Sequence, residues 1–572
     1  MQINIPTVNW NLPVILIVTI TIVTILFLIK PTMRYIIKKI SNDITGKLLT
    51  DNYTQNLAEL LPSLKRFSIL NILELSLRAQ TGRILNRPLG SPKHFFGYDN
   101  LMFSPHQMTK LSLSEDVPID MSVRIGCNAK KPMTIKIPLM IGGMAYGLAL
   151  SEEAKLALAQ ASKVLQTATN SGEGPFLPEE PDEAGKFVLQ ICCWPWGLRT
   201  DKQIASADML EVKMGQGADV GASKIEAAEI TGRARILAGL QPDEKAISLK
   251  APPGVQTPED WPAFIESLRQ RAKGIPLALK IMATDRIEEE LAVAVELGFD
   301  VVVIDGCEGG SHATAPIKQD DFGIPSLQGL VRAKRYLKDS SISLIIGGGY
   351  FTPGQCLKAL ALGADAIYMG TVPLFALGHN QVTKVTPWEP PTTLIYYNSS
   401  TKKQLNLNQA ATSVANVMNA MILEMEEAMR ALGKASLKEL SPNDLVALDL
   451  LTAQITGVKS LFQPPVSQSI RIGQEQGQYE LEDSTREIGY RELQKEQTGK
   501  IQIINSSNAA LAEELIEQQI QVIKKLKKQN KMMWEIIDKY IRSWDENELN
   551  PTDKRKNYVQ GIKKNIKNSL RP

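Results

Sequence analysis

From Ile137 to Gly378, short apolar runs alternate with helix-like stretches. The runs predict strands at Leu139–Gly142, Thr167–Asn170, Leu210–Met214, Ile247–Lys250, Leu277–Ile281, Val301–Asp305, Leu344–Gly347 and Ile367–Gly370. Uninterrupted apolar runs mark strands buried on both faces, as parallel sheets require. Between them, Glu152–Leu165, Trp261–Ala272, Ile287–Leu297 and Gly354–Leu362 carry apolar residues at the spacing of one helix face. Eight βα units within roughly 250 residues predict an α/β fold, a (β/α)8 TIM barrel. A doubly wound open sheet alternates in the same way. The count of eight and the glycines clustered after the last strands favour the barrel.

The two ends of the chain have other patterns. Leu12 to Ile29 is an uncharged run rich in Ile, Leu, Val and Thr. About 18–20 such residues just span a ~30 Å hydrocarbon core. No charge precedes the run, whereas Lys30, Arg34, Lys38 and Lys39 follow it. That asymmetry predicts a single transmembrane helix with the remaining chain on the cytoplasmic side. A cleaved signal peptide needs a basic leader and a small-residue cleavage site, and neither is visible. The threonines and the marginal length leave a buried helix open. Residues 467–499 are Gln- and Glu-rich with little apolar periodicity and predict a linker. A helical pattern then runs from Asn508 to Trp544, and from Ile520 onward 14 Lys and Arg face 6 Asp and Glu. Such a tail either rests on an anionic leaflet or forms a solvated helix packed on protein. The expected division is 1–40 anchor and basic flank, 41–136 leader, 137–390 barrel, 391–466 helical extension and 467–572 linker and tail.

Composition narrows the classes. With 572 residues, 44% hydrophobic, 22% charged, 39 Gly and 32 Pro, the chain is neither collagen-like nor wholly disordered. A formal charge of +3 offers no argument for nucleic-acid binding. Five Cys without a CxxC pair point to a reducing compartment, and four isolated His give no basis for a His-bound metal.

Chemistry begins at the strand ends. Strand six runs into Asp305-Gly-Cys-Glu-Gly-Gly-Ser311, strand seven ends in Gly347-Gly-Gly349, and strand eight in Gly370-Thr371. Three adjacent Gly-bearing ends predict a phosphate site, because glycine lets backbone N–H groups approach closely. Lys280 and Lys213 interrupt apolar strands. A buried ammonium is costly unless it meets an anion, such as a reduced flavin ring, or snorkels past the strand end to water. Cys307 could serve as a nucleophile in a nucleotide-type dehydrogenase barrel if His312 lowered its pKa, or could simply pack. Cys192 and Cys193, beside Trp194 and Trp196, are expected in an apolar excursion between strands two and three.

Gly143-Met-Ala-Tyr-Gly-Leu-Ala-Leu-Ser151, Asn170-Ser-Gly-Glu-Gly174, Glu211-Val-Lys-Met-Gly-Gln-Gly-Ala218, Asp305-Gly-Cys-Glu-Gly-Gly-Ser311 and Leu362-Gly-Ala-Asp-Ala366 together resemble the FMN-binding synthase domain of glutamate synthases. Arg87-Pro-Leu-Gly-Ser-Pro-Lys-His94 and Ile125-Gly-Cys127 resemble the leader of the short, single-domain relatives. The likeness runs in order over roughly Asn86 to Glu389. It implies an FMN oxidoreductase that reduces a 2-imino acid, formed from a 2-oxo acid and ammonia, to an amino acid. Carried onto this sequence, Gly143, Met144 and Ala145 would contact the flavin ring through the backbone, with Asn170 and Gln216 nearby. Gly309, Gly310, Ser311, Gly348, Gly349, Gly370 and Thr371 would hold the phosphate. Glu173, Lys213 and Lys280 would be the catalytic groups, with Lys280 near flavin N1 and Glu173 placing the ammonium or imine.

The departures from the family pattern are specific. Long relatives carry cluster-binding cysteines spaced C-x5-C-x4-C after an Ala-Leu-Gly. Here His379, Val385 and Pro390 occupy those places, so no iron–sulfur cluster is expected. The chain opens without an amidotransferase domain, so ammonia would be free or delivered, and electrons would come from an unidentified ferredoxin or reductase. Relatives place a Lys where Asp219 stands and a Gly where His312 stands. Either the substrate differs, or the chain is a flavin-binding or non-catalytic scaffold tethered to a membrane.

Overall fold

A computed structural model describes residues 12–51, 60–311 and 314–461. Eight parallel strands close into a barrel: β1 (Leu139–Ile141), β2 (Ala168–Asn170), β3 (Lys186–Ile191), β4 (Met209–Lys213), β5 (Leu277–Met282), β6 (Val301–Asp305), β7 (Ser343–Gly347) and β8 (Ala366–Met369). The final strand pairs back onto the first, Tyr368 opposite Met140. Helices Glu152–Leu165 and Trp261–Ala272 run over the segments the periodicity predicts. The first starts where Ser151 accepts a hydrogen bond from the Ala154 N–H.

One predicted strand is wrong and one was missed. Ile247–Lys250 is not in the barrel. Ala246–Ile247 forms a two-residue strand against Lys224–Ile225 in the insertion between β4 and β5. Ile247 and Leu249 are half exposed there and alternate with Ser248 and Lys250, the pattern of a surface segment rather than a doubly buried strand. The third strand is instead Lys186–Ile191, whose apolar run is interrupted by Gln190. In consequence Cys192 and Cys193 follow strand three rather than preceding it.

The interior has two halves. An antiparallel hairpin, Val123–Ile125 with Met133–Ile135, plugs the N-terminal end of the barrel. Ile125, Met133 and Ile135 pack there against Met140, Val188, Met209, Val301 and Ile345. The C-terminal end is polar and open. Outside the barrel, Leu407–Ala431 lays Ala411, Val414, Met418, Ile422 and Met425 into the main core and packs against Glu152–Leu165. The region expected as a helical extension also contributes strands. Leu101–Phe103 pairs antiparallel with Leu445–Ala447, which pairs with Lys459–Ser460, so leader and extension share one small sheet.

At the N-terminus one helix runs from Leu12 to Thr50 with Pro31 inside it. It is long and apolar enough to cross a membrane by length and composition, with a mean hydropathy of 1.7 in the qualifying stretch. The hydroxyls of Thr21 and Thr24 donate to the carbonyls of Ile17 and Ile20 at 2.7 Å, which hides their polarity along the helix. Helices Leu60–Phe67 and Ile69–Thr81 follow. The expected linker and basic tail lie outside the described residues, as does His312.

Candidate active site at the C-terminal end of the barrel

Lys213 on β4 and Lys280 on β5 are opposite one another in register. Two ammonium groups side by side in a barrel need counter-charge. Lys213 Nζ lies 2.9 Å from Glu173 Oε2 and 2.7 Å from Asp219 Oδ2, and Lys280 Nζ lies 3.1 Å from Asp305 Oδ2. Burial opposes the charge on Lys213, but Asp219 and Glu173 outweigh it and hold the ammonium well above the usual lysine range. Burial likewise pushes the Asp219 carboxyl up, and Lys213 more than reverses this, keeping it below the usual aspartate range. Lys213 and Asp219 therefore stand as an ion pair, with Glu173 the second partner of the lysine.

Local structure explains how they meet. Gln216 and Asp219 exchange backbone hydrogen bonds at 3.0 Å around Ala218, whose φ is +65°. The tight turn returns Asp219 to the lysine six residues before it. A Cβ at Gly217 would lie 2.1 Å from the Gly306 carbonyl oxygen, so only glycine fits between the turns after β4 and β6. Glu173 is held from its backbone, because the Trp196 indole N–H donates to its carbonyl at 2.9 Å. Trp196 stacks on Trp194 with ring centroids 5.4 Å apart.

Beneath these groups Glu211 is fully buried. It accepts hydrogen bonds from Asn170 Nδ2 at 2.9 Å, Gln190 Nε2 at 2.7 Å and the Tyr368 hydroxyl at 2.8 Å. Three donors satisfy a carboxylate that would otherwise be expensive to bury. Gln190 Oε1 is buried without a partner, and Gln190 lines the cavity above, leaving an acceptor for a bound group.

That cavity has a volume of about 540 Å³. Gly143, Met144, Ala145, Glu173, Lys213, Gln216, Lys280, Gly309, Gly310, Ser311, Gly348, Gly349, Gly370 and Thr371 all line it. Asn170 does not. It sits one layer below, where its Oδ1 would be 2.9 Å from a Cβ placed on Gly143. Asp305, Gln190, Tyr368, Tyr350 and Trp194 also line the cavity, and sequence reasoning assigned none of them a place in it. Gln190 carried a usable signal, a polar side chain inside an apolar strand, the same signal that marked Lys280.

The glycine-bearing strand ends have the form of a phosphate cradle. Gly348 and Gly349 have φ of +105° and +77°, and a Cβ on Gly348 would meet the Gly306 N at 2.6 Å. The helix Thr371–Gly378 begins at Gly370 with no side chain capping it, and Gly370 and Thr371 face the cavity. Uncapped N–H groups at a helix start are a place for an anion. The residues present thus fit FMN: an anion seat at β6 to β8, two lysines beside it and a free acceptor at Gln190.

Cys307 does not line the cavity. Its thiol is buried and pushed up to about 12 by burial and by Glu308, the wrong direction for a nucleophile. Burial also raises the Glu308 carboxyl, to about 7, although the Ser326 N–H donates to it at 2.8 Å.

A closed parallel eight-stranded barrel with helices on its outside, glycine ends on its last three strands and buried lysines at its mouth defines a (β/α)8 barrel protein with its cavity at the C-terminal end of the strands. A family model described as the conserved region in glutamate synthase matches residues 94–435. The chain belongs to the glutamate synthase family. It is similar to a glutamate synthase large subunit-like protein of Rhizobium meliloti (strain 1021), with 30% identity over 68% of this chain and 93% of that protein. It is also similar to an archaeal-type glutamate synthase [NADPH] of Thermotoga sp. (strain RQ2), with 25% identity over 65% of this chain and 78% of that protein. Among solved structures, a flavocytochrome b2 with pyruvate bound matches at a TM-score of 0.40 and 17% identity, covering 71% of this chain and 89% of that one.

Proposed function

We propose that this protein is a membrane-anchored FMN oxidoreductase that reduces a 2-imino acid, formed from a 2-oxo acid and ammonia, to an amino acid. The observation that carries the reading is the single cavity in which Lys213, Lys280 and Glu173 meet the glycine ends of β6, β7 and β8. Bound FMN supplies the hydride chemistry. The uncapped start of the Thr371–Gly378 helix and the backbone at Gly309, Gly310, Gly348 and Gly349 hold the phosphate. Lys280, backed by Asp305, sets positive charge against the ring. Lys213 fixes the Glu173 carboxylate, which orients the nitrogen of the imine. The Gln190 side-chain carbonyl and the Met144 backbone would be available to hydrogen-bond to the flavin. Electrons arrive from a ferredoxin or a reductase.

Asp219 sets the substrate preference. A dicarboxylate such as 2-oxoglutarate needs a cation at each end, and a charge-assisted pair contributes roughly 1.5–3 kcal/mol. Asp219 removes one such pair and adds repulsion, which predicts a loss on the order of 10²–10³-fold in kcat/KM for that substrate. Of the other cations, Arg233 bonds Glu152 and Glu179, Arg235 bonds backbone carbonyls, and Lys224, which lines the cavity, pairs with Glu226. Lys318 also lines the cavity near Asp219, where it donates to the Val220 carbonyl at 2.7 Å, and among the described residues it is the one further cation that could partly offset this loss. The N-terminal helix crosses the membrane with its basic flank inside, which puts the barrel on the cytoplasmic side.

The test is the visible spectrum of the detergent-extracted protein, its anaerobic reduction, and its reoxidation by a panel of 2-oxo acids with ammonium. Flavin bands reoxidised by a monocarboxylic 2-oxo acid are expected. Colourless protein that refuses added FMN defeats the reading, and rapid reoxidation by 2-oxoglutarate defeats the role of Asp219.

A further inference from the structure

The Ile69–Thr81 helix is amphipathic in the reverse sense, with its acid facing the protein and its large apolar residues facing out. Glu74 is its one buried residue, 7% exposed, and accepts from Arg87 Nη1 at 3.0 Å and from Arg78 at 3.1 Å. Arg87 in turn bonds Asp320 at 2.5 Å, so charge pairs pin the helix to the barrel's loops. Ile69, Leu73 and Leu77, four residues apart, form a stripe exposed by 61%, 56% and 54%. Proteins that remain in water rarely leave such a stripe uncovered.

The surrounding charge names the cover. From Leu60 to Asn86, Lys65, Arg66, Arg78 and Arg83 are basic, and Glu74 is the only acid. Apolar residues flanked by cations suit the interface of an anionic bilayer. The segment is also within reach of one. The N-terminal helix continues roughly 30 Å beyond Ile29, and between Asp51 and Leu60 the chain extends at most roughly 30 Å, which is enough for these helices to turn back to the bilayer surface. Just beyond them Ile84 is 79% exposed and lines the flavin cavity with Asn86 and Leu89.

We propose that the Ile69–Leu77 face rests in the headgroup region of an anionic membrane, a second contact besides the N-terminal span, and sets the mouth of the cavity at the lipid surface. The proposal rests on the reading of residues 12–29 as an anchor. A reactant or reductant carried in the bilayer then reaches the site without crossing bulk water.

The full chain carries an environment-sensitive fluorophore at Leu73→Cys, Leu77→Cys or Phe27→Cys in a Cys127→Ser background, with a chain labelled at native Cys127 as the barrel reference. Each is reconstituted in vesicles of phosphatidylcholine and phosphatidylglycerol holding a lipid-bound quencher at shallow or deep position. The expected result is quenching at Leu73 and Leu77 at least twofold above that at Cys127, stronger with the shallow quencher and reduced in pure phosphatidylcholine. Quenching at Phe27 alone leaves the anchor standing and overturns this surface. Quenching at Leu73 without Phe27 sinks the anchor and overturns this face as a second contact, leaving it the only one. A label at Leu73 that is shielded equally in detergent and lipid overturns the proposal. Self-quenching between labelled copies then identifies a second copy as the cover, and its absence identifies another segment of this chain.

Discussion

Replacing Lys213 with methionine removes the ammonium and leaves Glu173 and Asp219 facing each other in a partly buried site. The lysine side chain is 6% exposed, and its two partners are 26% and 18% exposed. Deleting one member of a buried ion pair typically costs 3–5 kcal/mol, because the remaining charge is left without compensation. Here both carboxylates touch a water-accessible cavity, so the lower end applies, about 3 kcal/mol at neutral pH. Over the roughly 400 residues packed with the barrel, that corresponds to a loss of about 3–4 °C in Tm. The sign of the pH dependence is the sharper readout. In the native protein Lys213 depresses the Asp219 carboxyl, so its stabilisation is full above the unfolded aspartate range and is lost as the solution is acidified through the lower folded value. In Lys213→Met only burial and the neighbouring Glu173 carboxylate remain, both of which raise that carboxyl. The variant then binds a proton more readily folded than unfolded, and it loses stability as pH rises. The deficit relative to the native protein should therefore be largest near pH 8 and shrink toward pH 5. Thermal melts of the detergent-solubilised full chain across that range measure it. A deficit below 2 °C, or one that does not change with pH, refutes the reasoning.

Other predictions follow from single contacts. Lys280→Ala should weaken FMN binding by about 10–100-fold, the worth of one charge-assisted contact, as read by flavin fluorescence titration. Gly348→Ala should abolish FMN retention while the chain still folds, because φ of +105° and the Gly306 N at 2.6 Å leave no room for a methyl group. Gel filtration separates that outcome from collapse. Glu308→Gln should raise Tm most at pH 8.5, by less at pH 5.5, and leave it nearly unchanged only at about pH 4, below the ordinary glutamate range. The buried acid is raised to about 7, so its contribution is present at low pH and lost as pH passes that value. Under native conditions a maleimide should modify exposed Cys127 and leave Cys307 intact over hours, as peptide mapping would show.

Much of the fold was legible because its signals are local. The Glu152–Leu165 helix has a capping serine and a clear apolar face, and the glycine ends of β6 to β8 fall where apolar strands stop. The errors came where a strand serves two purposes. Lys186–Ile191 was missed because Gln190 breaks its apolar run, and Gln190 is there to bond Glu211. Ile247–Lys250 resembles a strand through Ile247 and Leu249, but their alternation with Ser248 and Lys250 marks a half-exposed segment. The site was legible as a set of residue types and not as a set of partners. Lys213 and Lys280 stood out singly, yet the pairing of Lys213 with Asp219 depends on a left-handed Ala218 that sequence does not announce. The Glu211 network joins residues from β2, β3, β4 and β8, and only closure of the barrel brings them together.

The small sheet that joins leader and extension has a consequence for how the chain is made. Leu101–Phe103 finds its partner in Leu445–Ala447, roughly 350 residues later in the order of synthesis. At about 5–20 residues per second the ribosome takes some 20–70 s to supply it. During that interval the apolar N-terminal helix has already emerged, while one edge of the leader strand and the barrel face awaiting Leu407–Ala431 stay uncovered. A nascent chain held in that state needs a shielding factor or a ribosome that does not pause. Stop codons or slow codons placed between Met369 and Leu407 should therefore yield aggregated or degraded product, even though every barrel strand has been translated.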